Sequence, residues 1–150
     1  MTALFIMAHA PLASALQAVA LHAFPELAAG NLAVYDVPPG DDTARYLAEG
    51  ESQLAQLGSA DVLILTDVIG ATPANLVGQL ARQPGRRALA GVNLPMLWRA
   101  LNYRQLPLDE LFVRARDGGL GGVQPVNTPS PQNQAAQAVR HDPQHSHHQQ

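Results

Sequence analysis

The chain has 150 residues and a hydrophobic fraction of 47%, enough for one domain with a sizeable core. It contains no cysteine, which excludes disulfides and thiolate metal sites. Its basic residues are all arginine, which excludes a lysine Schiff base and the lysine of a phosphate-binding P-loop. A net charge of -3 gives no electrostatic footprint for nucleic acid.

The first predicted element is a buried strand over residues 3–8, because this run is continuously apolar. The run stops at His9, and Pro11 fits the first position of a helix over residues 11–24. His9 is therefore expected at the carboxyl end of the first strand. In open parallel sheets, ligands bind at this edge.

Strands and helices then alternate along the chain. Further strands are predicted at residues 32–35, 61–66 and 87–91, and further helices at about 42–57, 73–82, from 95, and from 107 to a stop at Gly118-Gly119. This alternation is typical of an α/β fold with three α/β/α layers and a mainly parallel open sheet. Gly122 to Val126 is predicted to add a C-terminal edge strand, because Pro125 confines it to an edge.

Polar residues mark the predicted starts of three helices. Asp41, Asp42 and Thr43 are cap candidates for the second helix, and Thr72, followed by Pro73, is the candidate for the third. The cap of the fourth helix is predicted to be Asn93.

Residues 127–150 differ in composition from the predicted domain at residues 1–126. They are rich in Gln, Pro, Asn and His, and they are too polar to offset the entropy cost of ordering, so a disordered tail is expected. Four tail histidines could bind a soft metal weakly, but no metal site is predicted in so flexible a setting. They are His141, His145, His147 and His148.

No stretch has the pattern of a signal peptide or the length of a membrane span, so a cytoplasmic protein is expected.

His9 and Asp67 are the candidate catalytic residues. Each alone has an ordinary structural explanation, since a lone His is usually structural and Asp commonly caps helices. Together they are more informative, because strands one and three of a doubly wound sheet are often neighbours. An Asp that accepts a hydrogen bond from one ring nitrogen leaves the other nitrogen with a free lone pair, which makes the His a nucleophile.

The loop at Gly70, Ala71 and Thr72 is the candidate phosphate-binding segment. Its backbone N–H groups lie at a predicted helix N-terminus, which favours an anion. A nucleophile, an orienting carboxylate and a phosphate cradle together predict phosphoryl transfer without a metal or cofactor. A response-regulator receiver would carry the phosphate on Asp67, but it needs an acidic pair after strand one and a lysine, and this chain has neither.

Three sequence blocks resemble the IIA domain of the mannose-type sugar phosphotransferase system, also labelled the fructose subfamily. They are Ala8-His9-Ala10, residues 66–75 and residues 90–97 with their continuation to 104. Their order, spacing and residue types agree over about residues 1–126. The third block is quite specific.

The resemblance implies a phosphoryl carrier. The phosphocarrier HPr would phosphorylate His9, and a IIB domain would accept the group. Asp67 matches the partner carboxylate, and residues 70–72 match the loop beside the phosphoryl group. The resemblance also implies a homodimer, in which the C-terminal strand lies against the partner subunit, and leaves open an association with a membrane IIC/IID complex.

The chain departs from the family pattern at two points. The family usually has Thr-His-Gly where this chain has Ala8-His9-Ala10, and Gly-Gly where it has Gly70-Ala71. Both departures affect how closely a donor protein approaches. Two alternatives stay open: a phosphotransfer subunit for dihydroxyacetone kinase, which the third block disfavours, and a regulatory module that binds a target protein according to its phosphorylation state.

Overall fold

The computed structural model describes residues 1–127, which form an open, all-parallel sheet between two layers of helices. The strands are Ala3–His9 (β1), Leu32–Val37 (β2), Val62–Leu65 (β3) and Arg86–Leu89 (β4), in the order β2-β1-β3-β4. The helices are Leu12–Ala23 (α1), Thr43–Leu54 (α2), Thr72–Leu80 (α3), Leu94–Asn102 (α4) and Leu108–Gly121 (α5). None of these helices is both long and apolar enough to cross a membrane.

Strand β1 lies between two hydrophobic cores, one on each face of the sheet. Its residues are buried from Ala3 to Ala8, and alternate side chains face opposite layers, as the pleat of a strand requires. Phe5 and Met7 pack with α2 and α3, whereas Leu4 and Ile6 pack with α1, α4 and α5. This arrangement confirms the predicted α/β fold with three layers.

The strand order places the ends of β1 and β3 side by side. β1 pairs with β2 as far as His9, which lies opposite Val37, and with β3 as far as Ile6, which lies opposite Leu65. The residues that follow β3 therefore continue alongside the last residues of β1.

Two of the predicted helix caps are confirmed. The Asp42 carboxylate accepts the Arg45 backbone N–H at 3.2 Å, and the Asn93 side chain accepts the Met96 N–H at 2.9 Å. Two other helix starts were predicted one residue off. Thr72 is the first residue of α3 rather than its cap, and Pro11 is the N-cap of α1 rather than its first residue.

The predicted stop of α5 at Gly118-Gly119 is wrong, because the helix continues to Gly121. These glycines serve close packing against α4. A Cβ on Gly118 would lie 2.8 Å from the Arg99 Cβ, and one on Gly119 would lie 2.8 Å from the Met96 Cε. A larger residue at Gly118 would push the two helices apart, whereas one at Gly119 would first displace the end of the Met96 side chain.

The predicted edge strand at Gly122 to Val126 is also wrong. Within residues 1–127 the sheet has four strands, and residues 123–127 belong to no helix or strand. Helix α5 continues past Gly118-Gly119 to Gly121, and Gly122 then lies against Pro95. Residues 123–127 therefore start beside the helices and not at the edge of the sheet. The predicted tail lies outside the described residues from 128 onward.

One aromatic pair joins α1 to α4. Trp98, the only tryptophan in the chain, meets Phe24 edge to face, with ring centroids 5.6 Å apart and planes at 83°. Both side chains pack against the core that α1, α4 and α5 share.

Candidate active site

His9 and Asp67 meet at the carboxyl edge of the sheet. Asp67 is the second residue after β3, and its Oδ2 lies 2.6 Å from His9 Nδ1. The same oxygen accepts the His9 backbone N–H at 3.0 Å. One carboxylate oxygen therefore holds both the ring and the backbone of the histidine.

The Asp67 carboxylate is well supplied with donors. Its Oδ1 accepts the Val68 N–H at 2.9 Å, and its side chain is only 13% exposed. Burial raises the pKa of Asp67, but hydrogen bonds from the His9 backbone, the His9 ring and the Val68 backbone outweigh it, so the pKa lies below its usual value. Asp67 is therefore an anion at neutral pH.

The His9 ring is open to solvent, with its side chain 53% exposed. When Nδ1–H donates to Asp67, Nε2 carries the free lone pair of the neutral ring. In this tautomer, Nε2 is the ring nitrogen that is free to act as a nucleophile.

The loop after Asp67 leads directly into α3. Gly70 has a φ of +88°, in the left-handed region, while a Cβ there would meet nothing within 4 Å. Glycine is thus favoured for its conformation rather than for space. Ala71 is the N-cap of α3 and makes no side-chain cap, which leaves the first-turn N–H groups without a side-chain acceptor. No hydrogen bond joins residues 70–72 to His9 within the described part of the chain.

The block at residues 90–97 is hydrogen-bonded to the backbone that carries Asp67. The Gly91 N–H donates to the Asp67 carbonyl at 2.6 Å, and the Val92 N–H donates to the Thr66 carbonyl at 3.0 Å. Gly91 has a φ of +84°, and Asn93, two residues later, caps α4. This block fixes the backbone from which the Asp67 side chain extends.

Asp36 is a polar residue of this edge that the sequence analysis missed. It lies in β2 opposite Ala8, and its Oδ1 accepts the Ser14 backbone N–H at 3.0 Å. The predicted second strand, residues 32–35, ends directly before Asp36. The strand-end argument used for His9 and Asp67 could therefore have found it.

Comparison with known proteins identifies the family. Residues 3–114 match the family model for the PTS system fructose IIA component. The chain belongs to this family. This IIA component therefore has a phosphotransfer role in the sugar phosphotransferase system. No curated protein sequence matches it.

Solved structures of IIA proteins share the fold. The mannose/sorbose specific IIA subunit from Enterococcus faecalis is 25% identical, with a TM-score of 0.76 over 86% of this chain and 97% of that one. The component EIIA from Streptococcus agalactiae is 19% identical, with a TM-score of 0.74 over 83% and 97%. The IIA protein associated with the fucose utilization operon of Streptococcus pneumoniae is 20% identical, with a TM-score of 0.66 over 77% and 89%.

His22, the only other histidine within residues 1–127, lies apart from the site. His22 is exposed in the last turn of α1. Within residues 1–127, no three His, Cys, Asp or Glu side chains come together as metal ligands do. The four tail histidines lie outside the described residues.

Proposed function

We propose that this IIA component carries a phosphoryl group on His9, taking it from HPr and passing it to a IIB domain. The observation that supports this most directly is the Asp67 oxygen that accepts both the ring Nδ1–H and the backbone N–H of His9. This contact fixes the tautomer and the direction of the ring together.

The transfer needs only positioned groups. The Nε2 lone pair attacks the phosphorus of the donor phosphohistidine, a new N–P bond forms, and the donor imidazole leaves with the electrons of the broken N–P bond. Nδ1 keeps its proton, and the Asp67 anion balances the positive charge that develops on the His9 ring. A phosphoamidate is already activated, so positioning and electrostatics are enough.

The proposed cradle for the transferred group is Gly70, Ala71 and Thr72. Asp42 and Asn93 cap α2 and α4 with their side chains, whereas the N-cap of α3 offers none. The first-turn N–H groups of α3 are therefore available to an anion.

The surface beside His9 suits a protein donor. Val68 and Ile69 are 55% and 78% exposed, directly after the carboxylate that holds His9. Leu12 and Leu94, at the starts of α1 and α4, are also exposed. Exposed apolar groups around a reactive residue favour contact with another protein surface.

Incubation with phosphoenolpyruvate, enzyme I and HPr tests the proposal. The intact chain should gain an acid-labile, base-stable phosphohistidine, and His9→Ala should lose it. His22→Ala is the matched control and should be labelled like the wild type. Label that persists in the His9 variant would refute the assignment, and transfer onward to a IIB domain would separate a transport role from a purely regulatory one.

A further inference from the structure

Helix α1 starts beside the reactive histidine without a cap of its own. Its N-cap, Pro11, makes no side-chain hydrogen bond, and its first turn contains no acidic residue. The first N–H to find an acceptor within the helix is that of Ala15, which donates to the Pro11 carbonyl at 3.0 Å. The earlier N–H groups need an acceptor from elsewhere.

Asp36 supplies that acceptor from the neighbouring strand. Its Oδ1 accepts the Ser14 N–H at 3.0 Å across 22 residues of sequence. The carboxylate also places a negative charge at the positive end of the α1 dipole. The Ser14 hydroxyl takes no part in this contact, since it donates to the Pro11 carbonyl.

The next residue of β2 holds the other side of the same turn. The Ala10 N–H donates to the Val37 carbonyl at 2.9 Å, directly after His9. Hydrogen bonds to Asp36 and Val37 therefore hold the turn after His9 at two points, the Ser14 N–H and the Ala10 N–H. Asp67 fastens it from the β3 side, at the His9 N–H.

We propose that Asp36 is a positioning residue for phosphoryl transfer, an inference that rests on the function proposed above. By capping α1 from β2, it fixes the turn that carries His9, so that Nδ1 meets Asp67 and Nε2 faces the partner. Asp36 acts through the backbone of this turn and does not touch the phosphoryl group.

The test compares two caps in the same chain. Asp36→Ala removes the cap of α1, and Asp42→Ala removes the comparable cap of α2, whose side-chain hydrogen bond within residues 1–127 is to the Arg45 N–H alone. Both variants should melt at a lower temperature than the wild type. Only Asp36→Ala should also slow the transfer from phosphorylated HPr, by roughly 10-fold or more, because small misplacements of reacting groups are costly.

Two further variants keep the test decisive if Asp36→Ala does not fold. Asp36→Asn retains an oxygen acceptor and should transfer at nearly the wild-type rate. Ser14→Pro removes the N–H donor in a first turn that tolerates proline, and it should slow the transfer as much as Asp36→Ala does. A rate equal to wild type in Ser14→Pro, or in a folded Asp36→Ala, would overturn the proposal.

Amide hydrogen exchange gives a readout that does not depend on phosphotransfer. Asp36→Ala should lose protection at Ala10 as well as at Ser14, whereas loss at Ser14 alone would reduce Asp36 to a helix cap. If the wild type accepts no phosphate from HPr, the proposed function fails as well. If the wild type is labelled and Asp36→Ala transfers equally fast, only this inference fails.

Discussion

At the scale of single residues, one carboxylate oxygen orients both the ring and the backbone of His9. A hydrogen bond to Nδ1 alone would leave the His9 backbone free to move and carry the ring with it. Asp67 Oδ2 also accepts the His9 backbone N–H, which fixes the backbone as well. The ring therefore has one favoured tautomer and one direction without being buried. Charge-assisted hydrogen bonds of this kind are about twice as strong as neutral ones.

Asp67→Asn should separate the charge from the shape. The amide keeps the size of the side chain, but it loses the negative charge and can present an N–H to Nδ1. We expect the rate of transfer to His9 to fall by roughly 10²-fold or more, as for other orienting carboxylates. Stopped-flow transfer from phosphorylated HPr measures the rate, and circular dichroism checks the fold. An unchanged rate in a folded variant would leave Asp67 with a structural role alone.

The depressed pKa of Asp67 also predicts a pH dependence of stability. A carboxylate with a lower pKa in the folded state contributes stability that is fully present above its unfolded pKa, about 3.9, and is lost as the pH falls through the folded value. Urea unfolding should show wild type more stable than Asp67→Asn at pH 7, with the difference shrinking below about pH 4. A difference that grows on acidification would contradict this sign.

The residues of the candidate site were predictable to different extents. His9 and Asp67 follow the two strongest apolar runs, so their place at the strand ends could be read locally. Asp36 also follows a predicted strand, but β2 is less apolar, and the role of Asp36 as the cap of α1 could not be predicted because Ser14 is distant in sequence. A cap supplied by another element leaves no local pattern.

At the scale of elements, α5 shows how tertiary packing overrides local preference. Glycine is common just after a helix end, yet Gly118 and Gly119 lie inside α5, where α4 packs so closely that a Cβ on Gly118 would lie 2.8 Å from the Arg99 Cβ. The position of α4 relative to α5 is a property of the fold. The sequence alone therefore predicted a stop, and the error carried over into the predicted edge strand.

Two glycine variants of α5 should differ in their effect on the free energy of unfolding. Gly118→Ala places a Cβ 2.8 Å from the Arg99 Cβ and should destabilise the protein by about 1–3 kcal/mol. Gly121→Ala is the control, since nothing lies within 4 Å of its Cβ, and it should be neutral or stabilising by at most about 1 kcal/mol. Urea titration measures both. Equal effects would mean that the close approach of α4 does not determine the choice of glycine.

At the scale of the whole molecule, the alternation of elements was enough to predict three layers and a parallel sheet. The outer sides of β2 and β4 remain unpaired within residues 1–127. Leu120, Val123 and Val126 are exposed near the end of this described region. An unpaired strand edge beside exposed apolar residues favours association with another chain.

We predict that the intact protein is a homodimer. In a dimer with a two-fold axis, each copy covers the same strand edge of the other. The interface is then closed, so that further copies cannot add in a chain. Light scattering should give twice the chain mass at micromolar concentration, and a chain shortened to residues 1–121 should be a monomer or an aggregate. A monomeric intact chain would contradict the prediction. In that case the residues after α5 would have a role within their own subunit.

Because Trp98 packs with Phe24, its fluorescence reports on one face of the sheet and not on the other. The only tryptophan lies on the face of the sheet covered by α1, α4 and α5, so its emission reports the loosening of that face and not of the face covered by α2 and α3. Far-ultraviolet circular dichroism reports the helices of both. Because β1 belongs to both cores, the two signals should change at the same temperature, as a two-state transition requires. A fluorescence change that comes first would mean that the layers separate in steps.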